Sequence, residues 1–119
     1  MTTKDLQIIR TQDINFTGRG SASGGTADIA WAIPDDGSFP LPAGFGRWHE
    51  AECAPKTLDY DEVLLVLEGS FGIELPDGTR LEGKTGDLFQ IPSGTTIRYF
   101  GTDAKLFFVT TPVISTSPA

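Results

Sequence analysis

From residue 45 to residue 110 the chain repeats one pattern. Short apolar or alternating runs are broken each time by glycine, proline or polar turn residues. The runs occupy residues 45–53, 62–67, 71–75, 80–82, 88–91, 96–100 and 106–110, with an earlier one, TADIAWA, at 26–32. None carries the 3.6-residue period of a helix. Between the third and fourth stands Pro76-Asp77-Gly78-Thr79, a hairpin signal because Gly78 can take a positive φ at little cost. Seven or eight short strands with turns between them predict an all-β fold, a sandwich or small barrel. The run EVLLVL at 62–67 is apolar on both faces. Such a strand is expected to be covered on both sides, by a second sheet or by a partner subunit.

A length of 119 residues suits one domain with one core, 1–119. Residues 1–25 read as an arm followed by a glycine-rich loop (Gly18, Gly20, Gly24, Gly25), in which no strand is expected. A glycine-rich loop cradles phosphate when a helix follows it. Here residues 26–32 read as a strand instead, so phosphate binding is not expected. The connection IPDDGSFPLPAG then leads into a barrel region over 43–112. The 16 acidic and 9 basic residues give a net charge of −7, which disfavours nucleic acid and anionic membrane surfaces as partners. The opening MTTKDLQIIRTQD lacks the apolar run of a signal peptide, and no stretch reaches the ~20 apolar residues of a membrane helix. Cys53 is the only cysteine, which removes any intramolecular disulfide and points to a cytoplasmic location.

Two stretches resemble the paired motifs of the cupin superfamily. Glu62 and Gly69 fit the Glu, six residues, Gly spacing of the first; Gly86, Pro92 and Gly94 fit the second. The histidine that ends the second motif is replaced by Ile97, and the two expected before Glu62 by Pro55 or Lys56 and Thr57 or Leu58. Gly69 and Gly94 are expected at strand ends where a tight turn forms, with Pro92 at a turn entrance. A finer resemblance is to the EutQ-like cupins. It rests on G-F-x-x-W at Gly44–Trp48, T-L-x-Y-D-E at Thr57–Glu62 and V-L-E-G at Val66–Gly69, and continues through GKTGDLFQIPSG into the last strand. The resemblance implies a cupin barrel (a jelly-roll-like double-stranded β-helix), usually dimeric, without a three-histidine metal centre. Acetate kinase activity is attributed to the ethanolamine-utilisation member, which carries an additional N-terminal region.

Strand alternation places Glu62, Leu64 and Val66 on one face, and the resemblance turns that face into the barrel. Extended backward, the same parity puts Tyr60 with Glu62 and turns Asp61 away. In residues 45–53, Trp48, Glu50 and Glu52 share one face and Arg47, His49 and Cys53 the other. The family's tryptophan, at Trp48, suggests that the first set looks inward. A buried carboxylate must be bonded, paired or protonated, so Glu62 and Tyr60 are the candidate catalytic or anchoring pair. Trp48, Glu50, Gln90 and Tyr99 are the candidate ligand-binding residues. Cupin metals usually need two or three imidazoles. His49 is the only histidine and falls on the other face, so no metal and no cofactor are expected. Cys53 lacks a histidine base and reads as a buried thiol.

These readings converge on a metal-independent, small-molecule-binding cupin, accessory to small-metabolite catabolism. The alternative is a small enzyme using Glu62 and Tyr60 for acid–base chemistry, or for the acetate kinase activity that the resemblance brings. The expected partners are a small-molecule ligand and a second copy of the chain, with an arm or strand crossing between subunits.

Overall fold

The computed structural model describes residues 6–19, 21 and 24–113. After a 3-10 turn at Thr11–Asp13 come nine strands: β1 (Thr17–Gly18), β2 (Thr26–Ile33), β3 (Ala43–His49), β4 (Ala51–Glu52), β5 (Lys56–Thr57), β6 (Glu62–Glu74), β7 (Arg80–Lys84), β8 (Leu88–Ile91) and β9 (Thr96–Thr110). All pairings are antiparallel, in the order β1-β2-β3-β9-β6-β7, with β4 and β5 on β9 and β8 on β6. The all-β, jelly-roll-like cupin expectation holds. Among the described residues, no helix is long and apolar enough to cross a membrane.

Two features of the strand pattern are corrected. Runs 62–67 and 71–75 form one 13-residue strand, and runs 96–100 and 106–110 form one 15-residue strand. What reads as a break is a bulge. Leu67 is unopposed between the pairs Val66↔Leu106 and Glu68↔Lys105, and Gly69 then stands against both Asp103 and Ala104. Each extra residue slips the two-residue repeat by one and kinks the strand. The kink lets one continuous strand serve both layers: β6 pairs β8 through Glu62–Leu65 and β7 through Ser70–Glu74. Inward parity changes across it, from Glu62, Leu64 and Val66 to Phe71 and Ile73. Gly69 is therefore not at a strand end. It lies inside β6 at φ 76°, and a Cβ there would come within 2.1 Å of the Asp103 carbonyl oxygen. Gly94 does sit in a turn, where Thr95 N–H donates to Pro92 O at 3.3 Å. The glycine-rich arm is corrected as well, since Thr17 and Gly18 pair with Ile29 and Asp28.

The core gathers between the layers. Phe71 is fully buried and meets Trp48 edge-to-face at 5.1 Å and Tyr99 at 5.8 Å. Ile97, in the vacant histidine slot, is also core. The second cover expected over EVLLVL does not come from a second sheet among the described residues. Val63 and Leu67 remain 43% and 38% exposed, because the curled sheet packs only its inner face against the opposite layer.

Candidate ligand-binding site

Between the layers lies a cavity of about 70 Å³. Its apolar wall is Ile29, Trp31, Trp48, Leu64, Phe71, Leu106 and Phe108, and its polar groups are Arg19, Lys56, Tyr60, Glu62, Tyr99 and Thr110. The volume is well below the roughly 300–1,000 Å³ that encloses a drug-sized ligand. It suits a molecule of a few heavy atoms.

Glu62 opens β6 and keeps only 6% of its surface exposed. Tyr99, from β9, donates its hydroxyl to Glu62 Oε1 at 2.5 Å, a length typical of a charge-assisted bond. Burial pushes the Glu62 carboxyl above its ordinary range, opposed by the Tyr99 bond and then by the Lys56 and Arg19 charges. Tyr99 is itself held protonated, through burial first and the Glu62 charge second. Tyr60 lies on the loop into β6, where burial and then the Glu62 charge raise its phenol to about 12. Lys56, in β5, donates Nζ to Tyr60 Oη at 2.6 Å. Its ammonium is pushed below the ordinary lysine range by burial and then by the charge of Arg19. Arg19 reaches in from the residue after β1 and lies over the Tyr99 ring at 5.2 Å. Among the described residues, the buried Arg19 Nε and Trp48 Nε1 have no hydrogen-bond partner.

Four of the six expected site residues thus come together: Tyr60, Glu62, Trp48 and Tyr99. Two do not. Glu50 is exposed in the bend between β3 and β4 at φ 47°. That left-handed residue resets the alternation, so Ala51 and Cys53 turn inward after Trp48. Glu52 points out to Arg80 and Arg98. Gln90 is exposed because it pairs with Val63 on the outward parity of β6. Cys53 is the buried thiol expected, but it faces the core rather than the outward side that alternation with Arg47 and His49 predicts. Asp61 faces away from the cavity, as expected, and its Oδ1 accepts the Ser93 N–H at 2.8 Å.

Lys56 and Arg19 are the additions. Lys56 had a legible signal, since it stands in one of the vacant histidine slots. Arg19 had none, lying among glycines outside any periodic run. The donor set does not fit the metal that most cupins hold. Of the three imidazole slots, one holds the apolar core residue Ile97, one the cation Lys56 and one Thr57 or Leu58, and Arg19 brings a second cation to the cavity. His49 is on the surface beside Asp103, at 2.9 Å. Among the described residues, no three His, Cys, Asp or Glu side chains are grouped to hold a metal ion.

Comparison with known proteins gives the family and the fold. The family described as "Ethanolamine utilisation protein EutQ" matches residues 7–116. "Acetate kinase EutQ" of Escherichia coli (strain K12) is 41% identical over 75 residues, 63% of this chain and 30% of that protein. The chain therefore spans about a third of that relative's length. The structure of the Clostridium difficile EutQ protein superposes with a TM-score of 0.66 at 27% identity, over 75% of this chain and 70% of that one. The polyketide cyclase RemF from Streptomyces resistomycificus superposes with a TM-score of 0.74 at 22% identity, over 91% and 80%. That second likeness is one of fold alone.

Proposed function

This chain belongs to the ethanolamine utilisation protein EutQ family, and on that premise we propose that it binds a small polar metabolite in the Glu62 cavity without a metal. The observation that carries this is the replacement of a histidine cage by a bonded polar set. Glu62 is held by Tyr99, and Lys56 by Tyr60, on the wall of one small cavity. Four ionisable side chains gathered against an apolar wall are costly to fold around. Their convergence on open space is the usual mark of a site rather than of a scaffold. The family premise supports a ligand drawn from small-metabolite catabolism.

A second reading has its own support. Opposed influences act on the Glu62 proton: burial favours keeping it, and the Tyr99 bond and nearby cations favour losing it. A carboxyl so balanced can serve as general acid or base, with Tyr60 as relay. Phosphoryl transfer of the kind named for the Escherichia coli relative has less support, because a cavity this small does not enclose a nucleotide. We also propose that the chain acts as a homodimer in the cytoplasm.

The test is a screen of small metabolites by thermal shift and Trp fluorescence, with product analysis on every hit. Saturable binding without turnover supports the binder; product formation supports the enzyme. Elemental analysis of protein purified without chelator is expected to find no stoichiometric transition metal. About one Fe, Mn, Ni or Zn per chain would overturn the metal-independent reading.

A further inference from the structure

We infer that Lys56 is a covalent attachment point: its Nζ forms a reversible imine with a short 2-oxo acid held in the cavity. The inference rests on the ligand-pocket reading above and names the class of ligand. Lys56 Nζ is placed by its contact with the Tyr60 hydroxyl at 2.6 Å, on a cavity that also presents Glu62. The setting suits an amine nucleophile, which must be neutral to attack. Partial burial and then the neighbouring Arg19 act against its charge and outweigh Glu62 and Asp59, which favour it.

The rest of the cavity describes the partner. Arg19 Nε and Trp48 Nε1 are buried donors with no acceptor among the described residues, and both belong to residues lining the same cavity. A buried donor left unpaired is costly, and an arginine fork suits a carboxylate. The pair thus calls for a small anion. Unpaired donors for an anion and an amine, lining one cavity of about 70 Å³, fit a molecule whose carboxylate adjoins a carbonyl.

The chemistry closes on these groups. The Lys56 nitrogen bonds to the carbonyl carbon, and the carbonyl oxygen takes a proton from the Tyr60 hydroxyl. Tyr60 regains it from the new ammonium, giving a neutral carbinolamine. Loss of that oxygen as water, with the second amine proton, leaves the C=N bond. Water reverses each step, and no oxidant or reductant is needed.

The experiment treats the full chain with pyruvate or glyoxylate and sodium cyanoborohydride near neutral pH, then maps reduced adducts by peptide mass spectrometry. The adduct is expected to form faster at Lys56 than at the exposed Lys84 and Lys105, which lie outside the cavity. Tyr60→Phe is expected to slow it and Lys56→Arg to remove it, with folding of each variant confirmed by near-UV circular dichroism. Labelling no faster at Lys56 than at Lys84 and Lys105, or none at all, overturns the inference. Equilibrium titration of Trp fluorescence without reductant separates the two readings. Saturable binding without trapping defeats the imine and leaves the pocket reading standing. Neither binding nor trapping defeats the inference, and the metabolite screen then decides the pocket reading.

Discussion

At the scale of single residues, the question is whether Glu62 serves a ligand or the scaffold. A buried carboxyl kept for function usually weakens the fold, so removing its charge leaves stability unchanged or higher. A carboxyl kept for structure behaves oppositely, and losing its bonds costs roughly 1–3 kcal/mol. Glu62→Gln is expected to keep or raise the thermal midpoint while abolishing ligand response, and Tyr60→Phe to abolish response in a folded barrel. A lower midpoint with an unchanged response would assign both residues to the scaffold. Tyr60 also predicts a pH dependence. Its phenol loses a proton near 10 when unfolded but near 12 when folded. The folded state therefore holds the extra proton between those values, and stability falls as pH rises through that window. Urea melts between pH 9 and 12 are expected to show wild type losing stability relative to Tyr60→Phe. Tyr99 is common to both proteins and largely cancels. A difference that does not vary with pH would remove Tyr60 from the buried network.

At the scale of elements, the two bulges govern what a sequence reader can and cannot see. The runs around Val66, Phe71 and Tyr99 are legible as strands because they are short, rich in apolar β-branched and aromatic residues, and bounded by turn residues. That β6 and β9 continue through Gly69 and Asp103 is not legible, because a bulge and a turn both present a glycine between apolar runs. The site was half legible for the same reason. Glu62 and Trp48 sit in unbroken alternation, which carries their inward direction, whereas Glu50 lies at a bend that resets parity. Gln90 takes its direction from cross-strand register with Val63, which local pattern does not carry. Gly69 offers the direct test. Alanine there takes a left-handed φ and meets the Asp103 backbone at 2.1 Å, so Gly69→Ala is expected to cost roughly 2–4 kcal/mol. Gly78 has φ 89° with open space where a Cβ would stand, so Gly78→Ala is expected to cost only about 1–2 kcal/mol. Denaturant midpoints for the two variants check this. Equal losses would mean that the bulge contact is not what fixes glycine at position 69.

At the scale of the whole molecule, one face of the barrel is unaccounted for within a single chain. The register lines up Val63 with Val109, and Leu65 with both Phe107 and Leu88; Phe45 in turn stands beside Phe107 at 5.4 Å. Val63 and Leu88 are 43% and 61% exposed. These residues run across β3, β9, β6 and β8, so the apolar face is continuous rather than scattered, the kind of surface that marks an interaction site. A second copy is its proposed occupant, because one patch can meet itself about a two-fold axis. The arm is the proposed second contact, since Leu6 and Ile8 are 96% and 67% exposed ahead of β1. Light scattering at micromolar concentration is expected to give twice the chain mass. Val63→Lys is expected to shift it to monomer, as it would put an unpaired charge in the middle of the shared face. Removing residues 1–10, which leaves Arg19 and β1 in place, is expected to weaken the dimer while the cavity still binds. A monomer mass for the intact chain would refute the assembly. A Val63→Lys protein that stayed dimeric while the shortened chain fell apart would instead place the contact on the arm alone.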